Sequence, residues 1–364
     1  WHFQFSLTDE PLRRLHLLDT SGGGHLLSEL PGVNTEGRDK YLISSLMEEA
    51  IASSQLEGAA TTRKLAKEML RLNKKPRTYD EKMIVNGYRT MKRITELTDE
   101  KLTPELILDL HAMITKDTLK QKKEEGAFRD NNDIVVGDTV YIEKIYHRPP
   151  DYKQVPKLME ELCDFVNAVD ENKFIHPVIK SIIVHFLIGY IHPFTDGNGR
   201  LARTLFYWYV IKRGYWLFEF MAVSRIILQS KTKYGLAYLY TETDDNDLTY
   251  FINYNLEIIE KALNEMQKYI AHKQKEQAEA LKFLQGSRDI NLRQADILKE
   301  FVKNADKNFL IKEIMTTYNV AYDTARHDLL HLTNLKYITV EKRRNKFLFR
   351  YGGNLKPVQG NHNS

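Results

Sequence analysis

A single cysteine, Cys163, stands among 364 residues, so no intrachain disulfide can form and the chain suits a reducing compartment; we expect a cytoplasmic protein. Cys163 falls on an amphipathic helical pattern and reads as a buried apolar residue rather than a nucleophile. Glycine and proline are sparse, at 18 and 10 residues, and no run of alternating Val, Ile and Thr dominates, which excludes a mainly β or collagen-like chain. Long apolar runs are missing too. The longest, Ser181 to Phe194, is broken by His185 and His192 and is too short to cross a bilayer, so no membrane span is expected. The first residues lack the basic, apolar and small-residue succession of a secretion signal, although Trp1 rather than Met begins the sequence and leaves room for a removed leader. A net charge of +4 is too small to argue for nucleic acid unless the cations cluster. The Gly22-Gly23-Gly24 run lacks the lysine and following Ser/Thr of a phosphate-binding loop and reads as a flexible connection.

Apolar residues at helical spacing recur along most of the chain, and the fold expected is mainly α. A helix is expected from Asp39 to about Leu56, with Leu46, Ala50 and Ser53 on one face, and helices over Thr62–Leu72 and Tyr79–Leu97 follow. Thr103-Pro104 opens another, with Pro at its first position. Between Gly126 and Pro150 the pattern lapses. There Ile134-Val135-Val136 and Val140-Tyr141-Ile142 flank Gly137-Asp138 as strands flank a tight hairpin turn. Helical spacing resumes at Val155 and again at Ile179, a third helix starts after Gly197, and a long one from Asp247 loses its apolar face near Lys273. From Ile290 to Tyr351 a separate module can be drawn, in which Lys312–Tyr318, a turn at Asn319-Val320 and Tyr322–Thr333 have helix-turn-helix proportions and Ile338–Val340 and Phe347–Phe349 form a hairpin wing. The organisation expected is an N-terminal helical region over 1–100, a catalytic core over 101–260, a linker helix over 261–288, a winged-helix module over 289–352 and a disordered tail over 353–364.

The segment His192-Pro193-Phe194-Thr195-Asp196-Gly197-Asn198-Gly199-Arg200, followed by Leu201-Ala202-Arg203, packs a base, a carboxylate, two glycines and two arginines into a dozen positions. An apolar helix ends at Ile191, a loop presents His192 and Asp196, and a new helix begins near Asn198. The free N–H groups of that first turn, with the helix dipole, make an anion site, and glycines at 197 and 199 let an anion approach the backbone. Arg200 and Arg203 stand one turn apart and suit a polyphosphate clamp; Asp196 is placed to hold a Mg²⁺ that bridges phosphates. His192, as a histidine with a reference pKa near neutrality, can take the proton of an attacking hydroxyl, so direct in-line transfer needs no Ser or Cys nucleophile. Any one of these residues alone reads as structural; their joint spacing does not.

At every defined position, His192-x-Phe194-x-Asp196-Gly197-Asn198-Gly199-Arg200-x-x-Arg203 resembles the signature of the Fic family, and the likeness runs from the hairpin before Arg148-Pro149-Pro150 to about Leu256. The resemblance implies a helical Fic core with a β-hairpin flap that aligns a target segment by main-chain pairing. It implies His192 as general base toward a Ser, Thr or Tyr hydroxyl attacking the α-phosphate of ATP, Asp196 on Mg²⁺, Gly197, Asn198 and Gly199 lining an anion hole, Arg200 on the phosphates and Arg203 on the terminal one. Phe194 would be a core anchor. The related Doc branch, which phosphorylates, usually carries Lys where Gly199 stands, so Gly199 favours AMP transfer; some relatives use other nucleotides or phosphocholine as donor. Tyr234 is the nearest candidate for the family's adenine-contacting tyrosine, though Lys233 precedes it where many members have a second tyrosine.

Ser53-x-x-x-Glu57-Gly58 is similar to the inhibitory pattern of the same family, in which the glutamate pairs with the second arginine of the signature. Here that pair is Glu57 with Arg203. It would keep the arginine from the γ-phosphate and misalign the α-phosphate. Near the C-terminus Lys336, Lys342, Arg343, Arg344, Lys346 and Arg350 cluster in the wing, with Arg326 and His327 early in the second helix, a pattern that resembles DNA-binding winged helices; a protein-contact domain is the alternative. The expectation is an ATP- and Mg²⁺-dependent protein adenylyltransferase with a built-in brake, the alternatives being a DNA-binding regulator that senses nucleotide through its core, or an enzyme that removes AMP. Partners expected are a target protein presented on the flap, duplex DNA at the winged helix, and a second copy of the chain.

Overall fold

The computed structural model describes residues 2–22, 35–137, 145–168, 174–284, 289–343 and 346–353. Gly23 and Gly24, Asp138, Val140–Ile142, Arg344 and the tail from Asn354 lie outside them. Among the described residues, eleven α-helices precede the C-terminal module: α1 Asp9–Gly22, α2 Thr35–Leu56, α3 Arg63–Arg71, α4 Tyr79–Glu96, α5 Pro104–Thr115, α6 Val155–Asn167, α7 Pro177–Ile191, α8 Asn198–Lys212, α9 Val223–Leu228, α10 Lys231–Thr243 and α11 Thr249–Leu284. Between α5 and α6 run two short strands, β1 Val136–Gly137 and β2 Ile145–His147. The module that follows is built of α12 Leu292–Lys303, α13 Ile311–Tyr318, α14 Tyr322–Asn334 and the hairpin β3 Ile338–Arg343 and β4 Lys346–Tyr351. The mainly α reading is borne out.

The chain forms two compact units. The described residues of one are drawn from 2–22, 45–67 and 76–266, and those of the other from 35–44, 68–75 and 267–353. In the first unit α7 and α8 are the centre. Nearly every side chain of both helices is buried, which is why neither shows a polar stripe in sequence: a helix covered all round has no reason to be amphipathic. Neighbours such as α4 and α6 do carry a polar face. Local chemistry sets the boundaries. Thr78 caps α4 in a reciprocal capping box with Glu81, and Thr103 caps α5 with Pro104 at its first position. Trp208, wholly buried in α8, donates its indole N–H to the Leu97 carbonyl at 2.9 Å, closing the end of α4 onto the core.

One expectation is corrected. Gly137 is not at a hairpin turn: it pairs with Ile145 while Val136 pairs with His147, and Ile134-Val135 stand outside the strand. The apolar triplets at 134–136 and 140–142 looked like two strand arms because both are rich in β-branched and aromatic residues, but the connection between the observed strands is seven residues long, too long for a two-residue turn. Cys163 is buried, and burial pushes its thiol up to about 12, where it is no nucleophile.

In the C-terminal unit Ile297, Phe301, Phe309, Ile314, Leu329, Leu332 and Phe349 close one apolar core. Strands β3 and β4 pair in unbroken antiparallel register from Ile338↔Tyr351 to Arg343↔Lys346. Period-two alternation puts Ile338, Val340 and Phe349 on one face and Thr339, Glu341, Arg343, Lys346 and Arg350 on the other. Two of those cations are partnered: Arg343 reaches Glu341 at 2.7 Å and Arg350 reaches Asp306 at 3.5 Å. No described helix is long and apolar enough to cross a membrane.

Candidate active site

The loop between α7 and α8 is held from behind. Helix α7 ends at Ile191, and His192 caps it in the left-handed region, φ +48°, a conformation that costs a non-glycine residue and persists only where neighbours fix it. Arg129 is one such neighbour. Its Nε donates to the His192 carbonyl at 3.0 Å, its own amide donates to the Pro193 carbonyl at 2.9 Å, and its guanidinium also binds the carbonyls of Asn131 and Pro150. His111 is the other. Its ring stacks on Phe194 with centroids 3.6 Å apart, Nε2 donates to the Asp196 carbonyl at 2.9 Å, and Nδ1 accepts from the Gly126 amide at 3.1 Å. Burial holds His111 down to about 4, so it stays neutral and keeps this donor–acceptor tautomer. Asn198 closes the loop on itself, exchanging bonds of 3.0 and 2.8 Å with the backbone of Phe194.

This frame sets the chemistry of His192. Its Nδ1 lies 3.2 Å from the Gly189 carbonyl, which can only accept, so Nδ1 carries the proton and Nε2 keeps a free lone pair. Burial, partly offset by that carbonyl, pulls its pKa down to about 4, and the ring is neutral near pH 7, as a base must be. Helix α8 begins at Asn198 behind Gly197, whose φ of +87° and lack of a Cβ are both required, since a Cβ would meet Thr115 at 2.8 Å. No side chain caps α8, so its N-terminus is open to an anion.

The two arginines of α8 separate. Three residues along a helix rotate by about 300°, so neighbouring side chains diverge by about 60°. Arg200 turns inward: 3% exposed, it donates to the Ile114 carbonyl at 3.1 Å and stands 3.5 Å from Asp196, while its buried Nε has no partner among the described residues. Arg203 turns to α2. Its Nε donates to Ser53 Oγ at 2.9 Å, and its Nη2 to the Ser53 carbonyl at 3.0 Å and to Glu57 at 2.8 Å. Burial is the largest influence on the Arg203 charge and works against it, but Glu57, Tyr234 and Glu49 together outweigh it, and the guanidinium holds its proton more tightly than a free arginine. Glycine at 199 permits the approach, because a Cβ there would land on the Glu57 carboxylate. Glu49, two turns back on α2, is a buried carboxylate near Arg203; burial raises its pKa and outweighs the bonds donated by Ser224 and Tyr207, which lower it.

One cavity of about 670 Å³ gathers most of these groups: Glu57, His192, Gly199, Arg203 and Tyr234 all line it, with Gly137, Tyr146 and His147 of the strand pair and Lys231, Tyr238 and Glu242 of α10. Asp196, Gly197, Asn198 and Arg200 are not among its lining residues. Tyr234 gives its hydroxyl to His185 Nε2 at 2.8 Å and sits in an aromatic cluster with Tyr238 and Phe251, so its ring rather than its oxygen is offered to the cavity. His147 spans 2.6 Å to Glu242 and 2.7 Å to the Tyr190 carbonyl, fastening β2 to α10 and to the end of α7. Asp196, with its side chain 44% exposed, presents the single hard-oxygen carboxylate that a Mg²⁺ completed by phosphate oxygens and water requires, so the residues present fit that ion.

The chain is similar to known proteins in sequence and in fold. The profile of the Fic/DOC family matches residues 101–210. The chain is similar to the protein adenylyltransferase Fic of Drosophila willistoni, 27% identical over 176 residues, which are 48% of this chain and 31% of that protein. It is also similar to that of Nematostella vectensis, 29% identical over 116 residues, 32% of this chain and 24% of the other. The match thus spans about a third or less of these relatives. In fold the chain resembles a Fic family protein from Desulfovibrio desulfuricans G20, with a TM-score of 0.60 at 17% identity, covering 98% of this chain and all of that one. A Fic domain containing signaling protein from Bacteroides thetaiotaomicron gives 0.52 at 20% identity over 70% of this chain and 97% of its own.

Proposed function

The chain belongs to the Fic/DOC family through residues 101–210, and from that premise we propose that it is a protein adenylyltransferase restrained by its own Glu57. The observation that carries the reading is a cavity lined by a neutral imidazole, by Gly199 in the first turn of α8 and by a buried guanidinium bound to a carboxylate. His192 Nε2 takes the proton of a Ser, Thr or Tyr hydroxyl, whose oxygen forms a bond to the α-phosphorus of ATP; the bond from that phosphorus to the bridging oxygen breaks and pyrophosphate leaves. The amides at the start of α8 receive the phosphate charge, with Gly199 allowing close approach. Asp196 would hold Mg²⁺, which when bound neutralises and bridges phosphate oxygens. The strand pair β1–β2 offers backbone for an extended target segment to join, and the Tyr234 ring offers a face for adenine.

The restraint follows from Arg203. While bonded to Glu57 and Ser53 it is withheld from the terminal phosphate, and ATP settles out of line for attack. A charge-assisted bond of this kind is worth about 1.5–3 kcal/mol, so Glu57→Gly is expected to raise transfer by roughly 10- to 150-fold. The measurement is covalent label from α-labelled ATP on the protein itself: weak in the wild type, strong in Glu57→Gly, and reduced by about 10²–10⁴ when His192→Ala is added. Label from γ-labelled ATP instead would make the chain a kinase, and no label of either kind from Glu57→Gly would leave a nucleotide sensor.

A further inference from the structure

We propose that Lys231 is a positioning residue for this restraint: its ammonium fastens the last turn of α2 and thereby keeps Glu57 on Arg203. The proposal rests on the reading of Glu57 given above. A helix end leaves its last carbonyls without partners and carries partial negative charge. The end of α2 is a poor place for an anion, yet Glu57 follows directly on Leu56, and α2 has no basic residue in its last turn to offset it. The chain closes tightly there: the Glu57 and Ala59 amides both donate to the Ser54 carbonyl, at 3.1 and 3.0 Å, and the Gly58 amide donates to Gln55 at 3.2 Å. Into this end Lys231 Nζ donates twice, to the Gln55 carbonyl at 3.1 Å and the Leu56 carbonyl at 3.3 Å, from a position 175 residues away.

The location of Lys231 in its own helix strengthens the case. It is the first residue of α10, where a cation opposes the helix dipole, so α10 gains nothing from it. The gain lies at α2, whose negative end receives the charge. Lys231 also lines the cavity that Glu57, Gly199 and Arg203 line.

The test is a double-mutant cycle on the full chain, read by self-labelling from α-labelled ATP and by hydrogen exchange at amides 54–59. Lys231→Met should raise basal labelling several-fold, less than Glu57→Gly does, and speed exchange in that turn. Lys231→Arg should restore wild-type behaviour. Added to Glu57→Gly, Lys231→Met should raise labelling no further, because the two act on one device. Wild-type labelling and exchange in Lys231→Met would overturn the proposal. So would a fall in the labelling of Glu57→Gly when Lys231→Met is added, which would make Lys231 a phosphate ligand instead. Failure of Glu57→Gly to label at all is a different result and counts against the proposed function.

Discussion

Two stretches of this chain look alike on paper and differ in three dimensions: the motif around Arg200 and Arg203, and the hairpin around Arg343 and Arg350. Each follows a helix and each pairs its arginines with carboxylates. In the first the guanidiniums are 3% exposed and held by carbonyls, a hydroxyl and a carboxylate at set distances. In the second the partners are exposed, and the contacts are those of solvated side chains. A charge taken out of water must be answered group by group, so its neighbours become positioned; a charge left in water is screened and positions little. The motif region can be a device for that reason, whereas the hairpin is a surface.

The largest break in this comparison should come from acid. His111 and His185 are 0% and 2% exposed, and burial holds them at about 4 and about 3 against an ordinary 6.5. The folded state therefore binds fewer protons than the unfolded chain below pH 6.5, so stability is full above that value and falls as pH drops from 6.5 toward 4. At about 1.4 kcal/mol for each pKa unit, the loss is on the order of 5 kcal/mol, a large part of the stability of one domain. Thermal melts from pH 7.5 to 4.5 should show it, and hydrogen exchange should place the opening in α5, α7 and the motif loop. The C-terminal unit, whose His327 is exposed, should stay protected at the same pH. Equal loss of protection in both units would remove the contrast.

A smaller effect separates the two arginines of α8. Arg203→Met deletes bonds to Ser53 and Glu57 and is expected to lower stability by about 2–4 kcal/mol. Its kinetic signature should be a loss of transfer that Glu57→Gly does not rescue. Arg200→Met removes the contact with Ile114 and with Asp196, so it should act on the loop and raise the Mg²⁺ concentration needed for half-maximal labelling. Rescue of Arg203→Met by Glu57→Gly would mean that the arginine serves the restraint alone.

What was readable in the sequence divides along the same line. Spacing alone marks His192 through Arg203, because helix end, loop and helix start are adjacent in the chain. Glu57 is reached by carrying the face of Leu46, Ala50 and Ser53 one turn further. His111, Arg129 and Lys231 carried no such mark: their partners lie 85, 63 and 175 residues away, and a lone histidine or cation on a helix has no local signature. The placing of Arg200 behind the site escapes as well, since a spacing of three fixes the angle between two side chains but not which of them faces the cavity. In the strand pair, β-branched residues marked the region while the length of the connection, and so the register, was not encoded in composition.

The smallest effects belong to the hairpin, and they decide what its surface is for. Lys342 and Lys346 are exposed, and Lys342 lies 6.0 Å from the Phe347 ring centroid. Replacing both by Gln should move Tm by no more than about 2 °C. Duplex DNA at this hairpin remains a proposal, and its size is bounded by the partnered arginines. Among the described residues of the hairpin and α14, with Arg343 and Arg350 already facing carboxylates, the exposed Lys342, Lys346 and Arg326 are left to meet phosphates. Three such contacts give a slope of log affinity against log salt of about −3, falling to about −1 in the double Gln variant. Anisotropy titrations with a labelled duplex at several salt concentrations would measure both slopes. A flat dependence in the wild type would assign the face to protein contact, and the screened charges of the hairpin would then serve solubility rather than recognition.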